Sequence, residues 1–351
     1  MTMRIGLIGA GRMGKVFAHT LAFSVAGVQL AAVADPDEAA ARDAAARYHI
    51  PAWFSDYRRM LAEVELDAAV VVTPTGTHAQ VIQAVAAAGR HIFTEKPLAD
   101  SLAGCDAAIA AAEAAGVKLQ VGFMRRFDPA YLMARQKIEA GAIGTPVMFK
   151  GVGRDPGRPS LEFARRENSG GLILDMGIHD FDLARWLMGA EVDRVYAEGS
   201  CLVFPELQEV GDIDNAVINL HYSNGAVGNI DVSRNALYGY DIRTEVLGSE
   251  GALRIGKDQL TDTLVLTRAG ITHDTVPNFM TRFASAYAEE IRDFVRCVLE
   301  DCEPAVTGRE ARAATAIGVA ATRSLDEGRP VLISEVLGGS LWKKQPPSAS
   351  A

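Results

Sequence analysis

The chain has 351 residues, 49% hydrophobic and 23% charged, with 35 Lys+Arg against 44 Asp+Glu for a net charge of −9. That balance supplies core for about two domains and excludes the disordered, collagen-like and disulfide-framework classes. The acidic surplus without any basic run argues against nucleic acid or an anionic membrane as partner.

The first 120 residues alternate short apolar runs with helical patterns. Residues 4–8 (RIGLI), 28–34 (VQLAAVA), 67–73 (DAAVVVT), 91–94 (HIFT) and 117–121 (VKLQV) read as strands. Helical spacing appears at 13–23, 37–48, 78–88 and 102–115. Strands alternating with helices predict βαβ units and a parallel, doubly wound sheet, so residues 1–122 are expected to form a nucleotide-binding Rossmann domain.

Beyond residue 122 the texture changes. A helix at 129–140 precedes a strand at 145–151, and after residue 192 come β-type runs at 192–203, 216–222, 226–235, 242–247, 252–255 and 263–267. Turns such as Ser223-Asn224-Gly225 separate them, which predicts an antiparallel sheet. Helices follow at 281–300 and 308–327. Residues 123–338 are therefore expected to form an α+β domain whose last helices pack back on the first, with a polar tail at 339–351. No apolar run approaches the roughly 20 residues of a membrane span, and Met-Thr-Met-Arg runs straight into a strand without a secretory pattern. A cytoplasmic enzyme is the expectation. Cys105, Cys201, Cys297 and Cys302 show no CxxC and no histidine at ligand spacing, so they read as buried thiols in a reducing compartment, and no metal site is expected.

Gly9-Ala10-Gly11-Arg12-Met13-Gly14 is a GxGxxG turn between a strand and a helix. The first glycine permits the tight turn, the second lets main chain approach a pyrophosphate, and the third lets the helix pack close. Asp35 ends the second strand 26 residues after Gly9, near the position of a carboxylate that accepts the ribose hydroxyls. A carboxylate there repels a 2′-phosphate, and Pro36, Asp37 and Glu38 offer no cation, so NAD is expected over NADP. A methyltransferase also uses a glycine loop and an acid in this way. It leaves Glu95-Lys96-Pro97 and Thr73-Pro74-Thr75-Gly76-Thr77-His78 without a role, although both follow strands and reach the carboxyl edge of the sheet. Singly, Lys96 reads as a surface lysine and His78 as a helix-start residue; with the glycine loop they form a pattern.

With these motifs in order, and with 175–182 (DMGIHDFD), the chain resembles the glucose–fructose oxidoreductase / inositol dehydrogenase family over about residues 3–335. Residues 122–131 and 238–251 are most like the bacterial inositol dehydrogenases within it. The resemblance implies a Rossmann domain followed by an open-faced antiparallel α+β domain, and a homotetramer built through the sheet faces. It implies NAD-dependent oxidation of a ring hydroxyl of myo- or scyllo-inositol to an inosose. By position it makes Lys96, Asp175 and His179 the catalytic group, and puts Thr73, Thr75, His78 and Glu95 near the nicotinamide and its ribose. It also sets Arg126, Asp155, Asp182 and Tyr238 toward the polyol. Of the adjacent Arg125 and Arg126, the match favours Arg126. Where some inositol dehydrogenases carry a histidine two residues before the position of Asp155, this chain has Gly153, so the hydroxyls contacted stay open.

These residue types suit the chemistry. As hydride leaves an alcohol carbon, the hydroxyl proton must leave too, and an imidazole is a base of near-neutral pKa. Asp175 and His179 are i, i+4, so on a helix the carboxylate can orient the imidazole. Lys96 offers positive charge to the developing alkoxide. Either His179 or Lys96 can take the proton, with His179 favoured. Two other readings compete: a sugar 1-dehydrogenase acting on a glucose-type pyranose, and an NAD-binding sensor without catalysis.

Overall fold

The computed structural model describes residues 2–257 and 259–337; the tail expected at 339–351 lies outside the described residues. Six strands form the first sheet: β1 (Met3–Ile8), β2 (Val28–Ala34), β3 (Ala52–Phe54), β4 (Ala68–Val71), β5 (His91–Glu95) and β6 (Leu119–Gly122). They pair in parallel in the order β3-β2-β1-β4-β5-β6. Helices α1 (Arg12–His19), α2 (Glu38–Arg47), α3 (Tyr57–Glu63), α4 (Thr75–Ala87) and α5 (Leu102–Ala115) connect them. Because helices cover both faces, the central strands are largely apolar, and all four residues of β4 are apolar and buried. Local chemistry sets the helix ends: Asp37 accepts from the N–H groups of Ala39 and Ala40 to start α2, and Ser101 accepts from Gly104 to start α5. The helix expected over 13–23 changes character at Thr20–Ser24, which form a π-helical turn. Strand order reverses between β1 and β4, so the crevice at their carboxyl ends is the switch point where such sheets bind ligands.

From β6 the chain passes through a 3₁₀ turn (Met124–Phe127) into α6 (Pro129–Glu139), β7 (Pro146–Arg154) and the short helices α7 (Leu161–Ala164), α8 (Arg166–Ser169) and α9 (Gly171–Asp175). Helix α10 (Gly177–Met188) leads to β8 (Val192–Ser200), β9 (Asn215–Tyr222), β10 (Val227–Ser233), β11 (Asp241–Gly248) and β12 (Ala252–Gly256). A hairpin of β13 (Leu264–Thr267) and β14 (Gly270–His273) precedes α11 (Phe279–Leu299), α12 (Gly308–Glu327) and β15 (Val331–Leu332).

The second sheet runs β12-β11-β7-β10-β9-β8-β15. Most neighbours are antiparallel, but β7 and β10 are parallel, so the sheet is mixed where an antiparallel one was expected. The reason is the long excursion through α7–α10, β8 and β9, which brings β10 back alongside β7 in the same direction. One face of this sheet packs against α10 and α12. The other is open, with Val217 and Val227 exposed among polar neighbours such as the hydrogen-bonded Asn219 and Asn229. Helix α12, started by a capping box of Thr307 and Glu310, packs on α5, α10 and β8 and so joins the two halves. The Val121 N–H of β6 also donates to the Val306 carbonyl at 3.1 Å.

Candidate functional site

The glycine turn lies at the switch point. Gly9 has φ +106°, and a Cβ there would stand 2.6 Å from the Val72 carbonyl oxygen. A Cβ on Gly14 would stand 2.2 Å from the Gly9 oxygen, so α1 can pack here only without a side chain. Gly11 differs: a Cβ there meets nothing within 4 Å among the described residues. It caps α1 without a side-chain hydrogen bond, so the first N–H groups of the helix face outward, as a pyrophosphate requires. Half-buried Asp35, at the end of β2, accepts from Ala10 N–H at 2.7 Å and Asp37 N–H at 2.8 Å, joining the turn to the strand. These groups fit a dinucleotide.

Beside this cradle, at the end of β5, stands Lys96. Its Nζ donates to the Asp175 carbonyl at 2.8 Å and to Asp175 Oδ1 at 3.3 Å. Asp175 closes α9, and His179 lies a turn further on α10, its ring edge-on to Phe123 at 5.9 Å. His179 is 9% exposed, and its Nδ1 is buried with no hydrogen-bond partner among the described residues. Asp155, just past β7, is held through its main chain by Ser233 and Ala236. Its carboxylate feels the charges of Asp175, Arg234, Arg125 and Lys96, which places it on the same side as the lysine.

The charges of this group act on one another. Burial alone would push Asp175 up, but Lys96 and Arg234 outweigh it and hold the carboxyl below its ordinary range. Burial, then the positive charges of Lys96 and Arg125, hold the His179 imidazole well below 6.5. It is therefore neutral, the form that accepts a proton. Burial, reinforced by the negative charge of Asp175, pushes Asp155 up to about 6. Glu95 turns its carboxyl inward, accepts from Lys96 N–H at 3.0 Å, and is pushed up by burial to about 7.

Several expected contacts take another form. Arg126 donates to Asp182 through Nε at 2.8 Å and Nη2 at 2.6 Å, and to Glu310 at 2.5 Å. Both members of the Arg126–Asp182 pair are nearly fully buried, so they clamp α10 to the 3₁₀ turn and the start of α12 and do not face a substrate. Arg125 is the one whose charge reaches His179 and Asp155, while it donates to Asp180 at 2.9 Å. Tyr238 is 54% exposed; it donates to Asp241 and accepts from Arg154, lining an outer groove of about 410 Å³. Buried Tyr240, whose hydroxyl feels Arg125 and Asp155, is the inward tyrosine. His78 sets both ring nitrogens against main-chain carbonyls, of Pro97 at 2.8 Å and Thr73 at 2.7 Å. Burial holds this imidazole below its ordinary range, so the neutral ring donates to one of these carbonyls only, while both nitrogens are turned toward protein. Thr73 and Thr75 are half-buried at the carboxyl edge, with Thr73 Oγ1 accepting from Thr77. The expected Asp175–His179 hydrogen bond is replaced by the pairing of Asp175 with Lys96 and Arg234.

Arg234 was not singled out from sequence. It is 1% exposed, 3.5 Å from Asp175 Oδ2 and 3.4 Å from Asp212 Oδ2. The available signal was its place straight after the half-apolar strand β10, where a buried cation demands a carboxylate.

Residues 3–123 match a family described as "Oxidoreductase family, NAD-binding Rossmann fold", and residues 135–333 match "Oxidoreductase family, C-terminal alpha/beta domain". The chain is 41% identical over 329 residues to the scyllo-inositol 2-dehydrogenase (NAD(+)) of Bacillus subtilis, covering 94% of this chain and 96% of that one. It is 39% identical over 343 residues to the myo-inositol 2-dehydrogenase of Thermotoga maritima, covering 96% and 100%. The crystal structure of scyllo-inositol dehydrogenase from Lactobacillus casei, with bound NAD(H) and scyllo-inositol, superposes with a TM-score of 0.91 at 31% identity, covering 95% and 100%.

Proposed function

The chain belongs to the glucose–fructose oxidoreductase / inositol dehydrogenase family of NAD-dependent oxidoreductases, and from that premise we propose that it oxidises a ring hydroxyl of myo- or scyllo-inositol to an inosose. The observation that carries the reading is the convergence of Lys96, Asp175 and a neutral His179 beside the glycine turn.

The nicotinamide, when bound, supplies the hydride acceptor. In this reading Gly9, Gly11, Arg12, Met13, Gly14 and Asp35 hold the dinucleotide, with Thr73, Thr75 and Glu95 lining the nicotinamide end. His179 takes the hydroxyl proton at Nε2, since Nδ1 is enclosed by protein. Lys96 spends two of its three ammonium hydrogens on Asp175, and the third donates to the substrate oxygen as negative charge builds there. A donor so placed contributes about 3–4 kcal/mol to transition-state stabilisation. Asp175 fixes the lysine and is fixed in turn by Arg234. Asp155 accepts from neighbouring ring hydroxyls.

The reading carries further terms. Residues 1–122 act as the cofactor domain and 123–338 as the substrate and assembly domain. The enzyme works in the cytoplasm as a homotetramer, its net charge of −9 giving no hold on nucleic acid or an anionic membrane. The open sheet face, with Val217, Val227 and Leu247 exposed, supports assembly through that face. The test is NADH formation by the purified protein with myo-inositol, scyllo-inositol, D-chiro-inositol, D-glucose and L-glucose, compared by kcat/KM. A lead for an inositol is expected. A lead for a glucose would move the reaction to the anomeric carbon and overturn the substrate assignment.

A further inference from the structure

The cysteines are not all buried thiols: Cys105 and Cys297 are buried, but Cys201 and Cys302 are half-exposed. Two of them meet. Cys297 lies near the end of α11, and Cys302 follows the turn that leaves the helix. The turn is closed by the Cys302 N–H donating to the Cys297 carbonyl at 3.0 Å, and Asp301 within it has φ +52°. This brings the Cys302 thiol onto Cys297 Sγ at 2.8 Å. A disulfide bond needs about 2.05 Å between sulfurs, so closing it requires under about 1 Å of movement. The Arg296 guanidinium spans the pair, 3.2 Å from Cys302 Sγ and 3.5 Å from Cys297 Sγ. The Lys118 ammonium lies close enough for both sulfurs to act on it. Both cations are themselves paired, Arg296 with Asp293 and Glu300 and Lys118 with Asp301, and the negative charge of Asp293 also reaches Cys297.

We propose that Cys297 and Cys302 are a reversible oxidation site that takes a low-molecular-weight disulfide as its oxidant. Half-exposed Cys302 is the attacking group: its thiolate displaces one sulfur of the oxidant, forming a mixed disulfide and releasing a thiolate. The released thiolate takes the Cys297 proton. Cys297 then attacks Cys302 Sγ, forms the internal bond and expels the second half of the oxidant as a thiolate, which takes up from solvent the proton that Cys302 gave up. Two cysteine thiols are thereby oxidised by two electrons, and the oxidant is reduced to two thiols. Burial, followed by the Cys302 hydrogen bond, pushes the Cys297 thiol up to about 12, which suits the resolving role better than first attack.

The site sits where the two halves of the chain meet. Its turn holds Lys118 through Asp301 at 2.7 Å, and the segment that follows accepts from Arg126 and Val121. Cross-linking ties the start of the α11–α12 connection to the end of α11.

The full-length protein is incubated with oxidised glutathione at neutral pH, alkylated, and measured as intact mass without reductant. Wild type is expected to lose two hydrogens with no glutathione retained, to map to a Cys297–Cys302 linkage, and to recover with dithiothreitol. Cys297→Ser is expected to retain glutathione on Cys302, and Cys302→Ser to leave Cys297 unmodified. Four alkylatable thiols after oxidation of wild type, or adducts confined to Cys105 or Cys201, would overturn the proposal. Because the wild-type measurement decides, misfolding of a variant leaves it falsifiable.

Discussion

Asp155→Asn should make the protein more stable while making it a worse enzyme. In the fold the Asp155 carboxyl is pushed from 3.8 up to about 6. At about 1.4 kcal/mol per pH unit this is about 3 kcal/mol held against the ionised form. Partial exposure to solvent trims that to about 2–3 kcal/mol. A carboxyl with a raised folded pKa costs nothing below its unfolded pKa, and the cost grows as pH rises through the interval between the two. Wild type therefore loses this stability between about pH 4 and pH 6 and stays at the reduced level above. The asparagine carries no charge and escapes the loss. Urea unfolding at pH 4, 5, 6 and 7.5 should show the two proteins converging at the acid end and the variant ahead at pH 7.5. In parallel, kcat/KM for the polyol should fall, and an acid limb near pH 6 present in wild type should vanish. A variant no more stable at pH 7.5, or one whose advantage does not change with pH, would refute the placement of Asp155 among these charges.

Other perturbations separate the remaining roles. His179→Ala should abolish turnover while NADH fluorescence titration still shows binding; residual rates near wild type would remove it as the base. Lys96→Met should lower kcat about 10²–10³-fold. It should also move the acid limb belonging to His179 upward, because one of the two cations holding that imidazole down is gone; an unmoved limb would contradict the pairing. Arg126→Met should cost about 3–5 kcal/mol of stability by stranding Asp182, with KM for the polyol unchanged. A KM effect without a stability effect would restore Arg126 to the substrate. Asp35→Ser should weaken NAD and narrow the gap to NADP, and a constant ratio of the two cofactors would overturn the ribose assignment.

Much of the frame was readable because local chemistry and global position agree. The glycine turn, the run 28–34 and the helix at 308–327 each carry an apolar period and a start or stop signal that no distant contact overrides. The unread pieces had no such period: β3 and α3 are short, and three-residue β3 is only partly buried. Within the site, Lys96, Asp175, His179 and Asp155 converge, whereas the direction of individual side chains was not legible. Gly239, at φ +135°, closes a turn from Ala236 and separates exposed Tyr238 from buried Tyr240. The adjacent Arg125 and Arg126 sit on a 3₁₀ turn, where each finds a different aspartate of α10. Residue type announced chemistry, but partnership depended on elements far apart in the chain, 79 residues for Lys96 and Asp175 and 184 for Arg126 and Glu310.

Those two consecutive arginines tie the base to the turn that joins the two sheets. They follow directly from β6, and they grip α10 at Asp180 and Asp182, immediately beyond His179. Helix α10 also packs on β7 and α12, and Gly151 and Gly153 of β7 lie directly against Asp180. The imidazole is thereby wedged between the second sheet and the turn that follows the first, so its position depends on both sheets at once. Displacing either sheet alone would pull the base out of register, with Lys96 on one side or with Asp155 on the other.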